Sequence, residues 1–521
     1  MRSIKKVLLI SAASFVTVVE AGAADLPVKA KPVEYVKICS VYGDGFYYIP
    51  GTNTCLKLGG YLRAEVDVNA AGTFTPAVGP GSTNNRDNVN NRESQTMVQR
   101  TRILWTLDTR TQTEYGTLRS YSRTGIQWTS GDSVNSGSNA VAYIDRAFLQ
   151  FAGLTAGRAV SFFDIYSFSL HSFQTNIIGS DSGGTGVNLF AWTQEFGGGL
   201  SASISAEEHS SRSKPVINTI GTAGFFNINN NAAGAPANLG TGTFTSQAGQ
   251  TLPNLVANIR LDQAWGAVQA SVAASKVAAS YYSLDTSVAG GGAALALGGG
   301  AGGLQPFGHP DDKWGFAGTV GTVINLPWAP GDTFGLQAVY AQGASAYVGQ
   351  GQGSFVLYHG NDVALGFVTD AVYGAQGSSL ELTTGWSITA GVQHYWTPKW
   401  RTSLYGGYEA FSYDGAATST LCAGLAPGAA AAHAGNAANA GGFTPTNCSP
   451  NFGFFQVGSR TVWNPVPMLD LGVEVMYNKV LTGFGGPVTL AANGTVPAGP
   501  FAAKDQDVVS AVFRVQRNFL P

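Results

Sequence analysis

Seven arginines share one phase of the side-chain alternation in the first five predicted strands of this chain. They are Arg63, Arg100, Arg102, Arg119, Arg123, Arg146 and Arg158. Because successive side chains of a strand point to opposite faces, arginines in one phase collect on one face. Their guanidinium groups could form a basic wall that meets solute, or could brace neighbouring strands through salt bridges and hydrogen bonds. Both roles stay open for each single arginine.

The strands that must position these arginines are predicted at 55–68, 95–109, 114–124, 141–152 and 154–161. The clearest is 55–68, where every even position from Leu56 to Val68 is apolar or glycine and the odd positions from Lys57 to Asp67 are mostly polar. Such a strand has one apolar and one charged face. In a soluble sandwich the apolar face would meet the core, whereas in a transmembrane barrel it would meet lipid. One strand does not decide between these alternatives.

The alternation recurs down the chain in about sixteen segments, near the ~10-residue length that a tilted strand needs to cross a bilayer. Charged residues make up 12% of the sequence, about half the usual ~25%. Mean hydropathy is +0.05, and no apolar run of transmembrane-helix length follows the N-terminus. A barrel hides its hydrophobicity in alternation, so these values favour a membrane barrel over a helical membrane protein.

The predicted connections alternate strictly in length. Short ones fall at 109–113, 152–153, 197–198, 264–265, 325–332, 397–398 and 464–466, and long ones near 69–94, 125–140, 162–186, 209–254, 277–313, 344–384, 412–451 and 480–506. We therefore predict an all-β fold, a transmembrane antiparallel β-barrel of about 16 strands with short periplasmic turns and long extracellular loops. Tryptophans beside the short turns (Trp265, Trp328, Trp396, Trp400 and Trp463) predict an aromatic girdle.

Residues 1–24 have the features of a signal peptide. Basic residues at 2, 5 and 6 precede an apolar stretch at 7–19 and the small residues Gly22-Ala23-Ala24. Four cysteines in an exported protein favour disulfides, and their spacing suggests the pairs Cys39–Cys55 and Cys422–Cys448. We expect residues 25–54 to form a periplasmic-side segment stapled to Cys55.

The sequence offers no catalytic constellation. Carboxylates are scattered, His171 is expected to be a hydrogen-bonding loop residue, and His394 falls on an apolar phase and is expected to be structural. We predict no enzyme activity, no cofactor and no metal site, and the formal net charge of −2 gives no indication of nucleic-acid binding.

Residues 33–63, VEYVKICSVYGDGFYYIPGTNTCLKLGGYLR, resemble the start of the mature general porins of alphaproteobacteria, including both cysteines and the tyrosine-rich turn. Further similar stretches are IDRAFLQFAG at 144–153, AGRAVSFFD at 156–164 and FRVQRNF at 513–519. The ending differs, because Leu520-Pro521 follow Phe519 where such proteins typically end on an aromatic residue.

The resemblance implies an outer-membrane porin, a homotrimer of sixteen-stranded, water-filled channels for passive diffusion of ions and small hydrophilic solutes, in contact with outer-membrane lipid and lipopolysaccharide. It also implies that loop 162–186 folds into the lumen, with Asp164 and Asp181 as acidic candidates at the constriction. Acids facing the arginine wall would set up a transverse field that orients polar solutes.

Three other functions stay open at this point. A barrel of the same fold could be specific for a sugar or an amino acid, with Tyr61, Tyr121 and Tyr405 as luminal aromatics. The long loops could serve adhesion. A secreted soluble β-protein would have to bury its apolar strand faces in pairs.

Overall fold

The computed structural model describes residues 37–70, 78, 89–90, 96–130, 139–174, 178–218, 246–282, 307–349, 354–425, 446–490 and 499–519. Within these residues, sixteen antiparallel strands form a closed barrel. The first strand pairs with the second from Thr54↔Thr111 to Val68↔Met97, and its second half also pairs with the last strand. The predicted fold class is confirmed.

The barrel strands are numbered in chain order. They are β1 (Thr54–Val68), β2 (Met97–Thr113), β3 (Gly116–Thr129), β4 (Asn139–Phe151), β5 (Leu154–Ala159), β6 (Val187–Gly197), β7 (Leu200–Glu207), β8 (Asn254–Gln263), β9 (Gly266–Val277), β10 (Lys313–Asn325), β11 (Thr333–Gln342), β12 (Thr384–Thr397), β13 (Trp400–Ser412), β14 (Phe452–Trp463), β15 (Leu469–Thr482) and β16 (Gln506–Asn518).

Shorter elements lie between the barrel strands. Short strands are Tyr47–Tyr48, Val89–Asn90, Val216–Asn218, Ser354–His359, Asp362–Phe367, Ala371–Tyr373, Glu381–Leu382, Gly486–Leu490 and Gly499–Ala503; 3₁₀ turns are Ser40–Tyr42, Phe168–Leu170, Ser210–Arg212 and Ser345–Tyr347; and Gly415–Leu425 is an α-helix, α1. No helix in the described part of the chain is long and apolar enough to cross a membrane.

The alternation in β1 sorts its side chains between the outer wall and the lumen. Leu58 and Leu62 are 41% and 50% exposed on the outer face, whereas Glu65 and Asp67 are at most 3% exposed on the inner face. A soluble protein would bury the leucines and expose the carboxylates, so this arrangement is that of a barrel in lipid.

The two rims of the barrel differ as predicted. Two-residue turns such as 114–115, 152–153 and 398–399 join strands at one rim, and long connections join them at the other. All five predicted girdle tryptophans are between 39% and 66% exposed, and Trp400 stacks on Trp463 at a ring distance of 5.6 Å.

Both predicted disulfides, Cys39–Cys55 and Cys422–Cys448, are present. The first joins the N-terminal segment to β1, where Tyr47–Tyr48 adds a short antiparallel pairing with Cys55 and Leu56. The second joins α1 to the chain just before β14. The signal peptide 1–24, residues 25–36 of the N-terminal segment and the Leu520-Pro521 ending lie outside the described residues.

Loop 6 (residues 343–383) folds inward, a feature that the sequence did not reveal. Its hairpin, residues 354–367, is called the plug hairpin. Phe355 and Leu357 of this hairpin are at most 2% exposed and join a core with wall residues of eight strands, β8–β11 and β13–β16. The Phe355 ring lies 4.8 Å from that of Phe454. The plug hairpin therefore fills part of the lumen with apolar side chains.

Candidate pore constriction

Loop 3 (residues 160–186) begins at the end of β5 and is anchored by a carboxylate of the wall. Glu207 on β7 accepts hydrogen bonds from Ser161 Oγ at 2.6 Å and from the Phe162 amide at 2.9 Å. The amide of Asn258 on β8 donates to the Phe162 carbonyl at 2.6 Å. Wall side chains thus turn the chain into the lumen directly after the strand.

The middle of loop 3 reaches the opposite wall. Glu474 on β15 accepts the backbone amides of Phe173 at 2.5 Å and Gln174 at 3.1 Å. Arg460 on β14 donates to the Leu170 carbonyl at 2.7 Å, and the Arg514 guanidinium lies 3.9 Å from the Phe173 ring centroid. Because its two anchors are on opposite walls, loop 3 crosses the lumen.

Loops 3 and 6 pack on each other. The Gly179 amide donates to the Val348 carbonyl at 2.7 Å, and the rings of Phe163 and Tyr347 lie 4.6 Å apart. Phe163, Ile178 and Tyr347 belong to the same apolar core as the plug hairpin. The two inward loops are therefore one packed body attached to the wall.

Asp164 clamps loop 3 internally and does not face the arginine wall. Its carboxylate pairs with Arg212 of loop 4 at 2.6 Å and accepts the hydroxyls of Ser180 and Ser182, each at 2.5 Å. The side chain is buried. Asp164 closes the base of the loop, where the chain leaves and re-enters the wall.

Asp181 also serves the loop itself. It accepts the backbone amides of Phe168 at 2.8 Å and Gly183 at 2.6 Å, and the Ser167 hydroxyl at 3.1 Å. Burial, reinforced by the nearby Asp164 carboxylate, raises the pKa of Asp181. Both acids proposed for the constriction therefore direct their carboxylates to groups of loops 3 and 4, and Asp164 is also buried.

His171 is a loop hydrogen-bonder, as expected. Its Nδ1 lies 2.6 Å from the Tyr166 hydroxyl and its Nε2 lies 3.3 Å from Thr333 Oγ1 on β11. Burial, with Arg460 nearby, lowers the pKa of His171 to about 4. His394 instead meets Asp332 at 2.6 Å beside a short turn. Among the described residues, no group of three or more His, Cys, Asp or Glu could hold a metal ion.

Two of the seven predicted arginines are buried on the inner face. Arg100 pairs with Glu65 at 3.0 Å, and Arg514 of β16 pairs with the same carboxylate. Arg146 donates to the carbonyls of Ser182 and Gly183 at 3.1 and 2.6 Å and so holds the end of loop 3. For these two arginines the structure shows the bracing contacts.

Four of the seven arginines keep partial exposure on the inner face of β1–β4. Arg63 donates to Gln516 at 2.7 Å, and Arg102 donates to Gln127. Arg119 forms a two-point pair with Asp108, at 3.0 and 2.9 Å, and Arg123 lies 3.3 Å from Asp145. The exposed fractions of the Arg63, Arg119 and Arg123 side chains are 13%, 27% and 33%.

Arg158 lies on the other face of the wall. It shares its phase on β5 with Leu154, which is 45% exposed on the outer surface. It pairs with Glu208 at 3.2 Å, and Glu208 also accepts from Asn188 at 2.7 Å. This placement differs from the expectation, because the alternating positions of this short strand are mostly small residues that do not define its phase.

The inner face of the barrel divides into two regions. The open lane is the set of partly exposed side chains on the inner face of β1–β4, where other residues such as Glu65, Asp67 and Arg100 are buried. Its members are Arg63, Arg102, Thr106, Arg119, Tyr121, Arg123, Gln127, Tyr143, Phe148 and Gln150. The packed half is the inner face of β8–β16, where one mid-strand polar residue per strand is at most 8% exposed: Asn258, Ser271, Thr319, Gln337, Thr389, Ser403, Gln456, Glu474 and Ser510. Loops 3 and 6 cover the packed half.

Sequence reasoning did not single out the residues that position the loops. Glu207, Glu474, Arg460 and Arg514 each occupy a position that the alternation of a predicted strand directs inward. That inward position was the signal in the sequence that could have identified them. Arg212 comes from loop 4 and carries no periodic signal. Tyr405, proposed as a luminal aromatic, is 2% exposed beneath Phe168 at a ring distance of 4.8 Å.

Comparison with known proteins agrees with this geometry. The profile of the porin subfamily matches residues 25–512. The chain is 37% identical over 164 residues to outer membrane protein IIIA of Rhizobium leguminosarum bv. viciae, covering 31% of this chain and 38% of that protein. It is 31% identical over 222 residues to porin Omp2a of Brucella ovis, covering 40% of this chain and 60% of that protein. The matches thus span less than two thirds of either relative.

Among solved structures, the outer membrane channel DcaP of Acinetobacter baumannii is similar in fold, with a TM-score of 0.50 and 16% identity over 91% of this chain and 99% of that chain. Together with the profile match over most of the sequence, the closed sixteen-stranded barrel leads to one conclusion: the chain belongs to the porin subfamily and is an outer-membrane β-barrel.

Proposed function

We propose that the protein forms a water-filled channel through which ions and small hydrophilic solutes diffuse passively. The open lane carries this proposal, because it is the part of the inner face whose polar side chains keep contact with solvent. Loop 3 narrows the lumen beside it. The porin subfamily consists of channels rather than enzymes, and we propose no catalytic role for this chain.

The charge of the open lane favours anions. Arg63, Arg102, Arg119 and Arg123 are partly exposed there, whereas the acids that face them, Asp108 and Asp145, are each 8% exposed. A ring or wall of one charge sign selects ions of the other sign. The transverse field expected from the sequence is therefore replaced by a largely basic surface, since Asp164 and Asp181 are engaged within loop 3.

Planar-bilayer recordings of the purified protein test both statements. We expect steady, ohmic steps and, in a salt gradient, a reversal potential of the sign for anion preference. The substitution Arg102→Gln should move that potential toward cation preference, because it removes an exposed charge. Arg401→Gln is the control, since Arg401 pairs with Asp470 at 3.2 Å on the far wall. An unchanged reversal potential in Arg102→Gln contradicts the role of the lane.

The outer face of β2–β7 supports assembly as a homotrimer. A hollow of about 750 Å³ there is lined by Trp105, Ile126 and Ile144 and contains Arg158 with Asn188. An arginine facing lipid near the bilayer midplane costs about 2–4 kcal/mol. A neighbouring copy that covers the hollow would remove the Arg158–Glu208 pair from lipid. The remaining outer wall would contact outer-membrane lipid and lipopolysaccharide.

Native gels with and without heating test this assembly. Replacing both Arg158 and Glu208 by alanine should lower the temperature at which trimers dissociate, while the barrel keeps its heat-modifiable migration. Ile259→Ala is the control, because Ile259 is 61% exposed on the outer face of β8. Equal dissociation temperatures for the double variant and the wild type would mean that Arg158 and Glu208 are not part of the interface.

A further inference from the structure

Two tyrosines lie at the same height on the inner face of β1–β4. We call the four residues paired in register at this height, Tyr61, Leu104, Gly125 and Tyr143, the rung. Tyr61 of β1 pairs in register with Leu104 of β2, Leu104 with Gly125 of β3, and Gly125 with Tyr143 of β4. A Cβ atom at position 125 would meet the Tyr143 hydroxyl. Glycine at this position therefore lets the Tyr143 side chain lie flat across the wall, toward Tyr61.

Each tyrosine carries a guanidinium on its ring. The guanidinium carbon of Arg63 lies 4.3 Å from the Tyr61 ring centroid, and that of Arg102 lies 4.7 Å from the Tyr143 ring centroid. A guanidinium stacked on a ring is held in place by its flat face, so its N–H edge stays available to a planar oxyanion. The arginines are thus oriented without being neutralised by the rings.

Both tyrosine hydroxyls have an unused proton. In the described part of the chain, neither the Tyr61 nor the Tyr143 hydroxyl has an acceptor for its proton, although both oxygens are buried and Arg102 lies beside Tyr61 as a donor. An arginine beside a hydroxyl can donate to it but cannot accept its proton. A buried hydroxyl without an acceptor is unfavourable, and an incoming oxyanion would supply the missing acceptor.

Positive charge exceeds negative charge around this rung, because five arginines (Arg63, Arg100, Arg102, Arg123 and Arg514) surround three acids (Glu65, Asp67 and Asp145). Among the ion pairs of the described residues none involves Arg102, whose Nε and Nη2 atoms donate to the neutral Gln127. Arg63 lies 3.7 Å from Glu65, but Arg100 and Arg514 pair with the same carboxylate. One acid is therefore shared by three arginines.

We propose that this rung is a binding subsite for a small oxyanion, a carboxylate or inorganic phosphate, in transit through the lane. The Tyr61 and Tyr143 hydroxyls and the N–H edges of Arg63 and Arg102 would donate to its oxygens. The proposal rests on the proposed channel function and adds a solute class to it. It differs from simple charge selection, because hydrogen-bonding groups at one height make the interaction saturable.

Chloride current in planar bilayers provides the test. Acetate or inorganic phosphate, added separately at constant chloride, should reduce the current to a saturating level. The double variant Tyr61→Phe/Tyr143→Phe should raise the half-saturating concentration by at least about tenfold, because losing even one hydrogen bond to a charged group has an effect of that size. Its reversal potential should stay unchanged, because no charge is altered.

Tyr121→Phe is the matched control. Tyr121 is also in the open lane, but its ring packs on Phe148 at 5.3 Å, away from the rung of Tyr61 and Tyr143. We expect wild-type saturation in this variant. Saturation by acetate alone or phosphate alone would support the subsite and identify its preferred oxyanion.

Normal chloride conductance without saturable reduction by either anion would overturn the subsite and leave the channel function intact. Equal half-saturation in the wild type and the double variant would overturn it as well. Folded, heat-modifiable protein without any conductance would overturn both proposals.

Discussion

The open lane and the packed half have the same alternation of side chains along their strands. Their inner faces differ in that side chains of the lane stay partly exposed, whereas those of the packed half are covered by loops. In the lane, Arg119 and Arg123 are partly exposed, and their acids Asp108 and Asp145 lie on neighbouring strands. In the packed half, Glu474 accepts a backbone amide of loop 3, and Arg460 donates to a backbone carbonyl of the same loop. An inward-facing charge on a barrel strand therefore either pairs with a neighbouring strand, as in the lane, or binds an inward-folded loop, as in the packed half.

The largest expected effect comes from weakening the plug. Phe355 is fully buried between Phe452 and Phe454, so Phe355→Ala should destabilise its packing by about 3–5 kcal/mol. The plug hairpin should then leave the lumen part of the time, and single-channel recordings should show larger, noisier steps. Phe316→Ala on the outer face is the control. Quiet, wild-type steps in Phe355→Ala would mean that the plug hairpin does not limit the current.

The second effect depends on pH. Burial lowers the pKa of His171 to about 4, whereas an unfolded histidine titrates near 6.5. The neutral ring therefore contributes about 3 kcal/mol to the folded state above pH ~6.5, and this is lost as the pH falls toward ~4. Conductance noise from loop 3 should increase over that range in the wild type. In His171→Gln the increase should be absent, and an identical pH profile would contradict the assignment.

The third effect concerns the far anchor of loop 3. Glu474→Gln keeps the shape of the side chain but replaces a charged acceptor of two backbone amides, which should weaken the anchor by about 1.5–3 kcal/mol. Proteolysis of the folded protein should cut loop 3 faster in this variant. Asp262→Asn is the control, because that carboxylate is 54% exposed and pairs with Arg260 outside the loop. Wild-type cleavage rates would show that the remaining anchors suffice.

The smallest effect is expected when one acid in each region is replaced by its neutral amide. Asp145→Asn removes an acid beside Arg123 in the lane and should make the channel modestly more anion-selective. Glu409→Gln removes a 1%-exposed acid in the packed half and should leave the reversal potential unchanged, because ions do not reach it. Equal shifts in the two variants would mean that the packed half conducts.

The sequence predicted those parts of the fold that depend on alternation. Leu58 and Leu62 against Glu65 and Asp67 place β1 in a lipid-facing wall, and the strict succession of short and long connections predicts the two rims. It did not predict the direction of Arg158, because Ala156 and Gly157 fit either face of a wall. Large side chains indicate which positions of a strand face inward and which face outward, and β5 has few of them.

The site was less predictable, because loops are positioned by contacts far away in sequence. Asp164 and Asp181 were expected to face the arginines, but Arg212 and the backbone amides of loop 3 engage them instead. The plug hairpin had a local signal that went unused. Phe355 and Leu357 alternate before Gly360-Asn361, as do Val363, Leu365 and Phe367 after it, which is typical of a hairpin.

A five-stranded sheet outside the barrel wall's strand order joins the plug hairpin to residues near the end of the chain. Three long loops contribute to it: Tyr358 of the plug hairpin pairs with Val89 in parallel, and Val363 pairs with Ala503. Residues 499–503 directly precede β16, the strand that closes the barrel against β1. Contacts between segments so distant in sequence carry a large loop-closure entropy cost. We therefore expect the plug hairpin to reach its final position only once residues 499–503, among the last of the chain, are in place to pair with it.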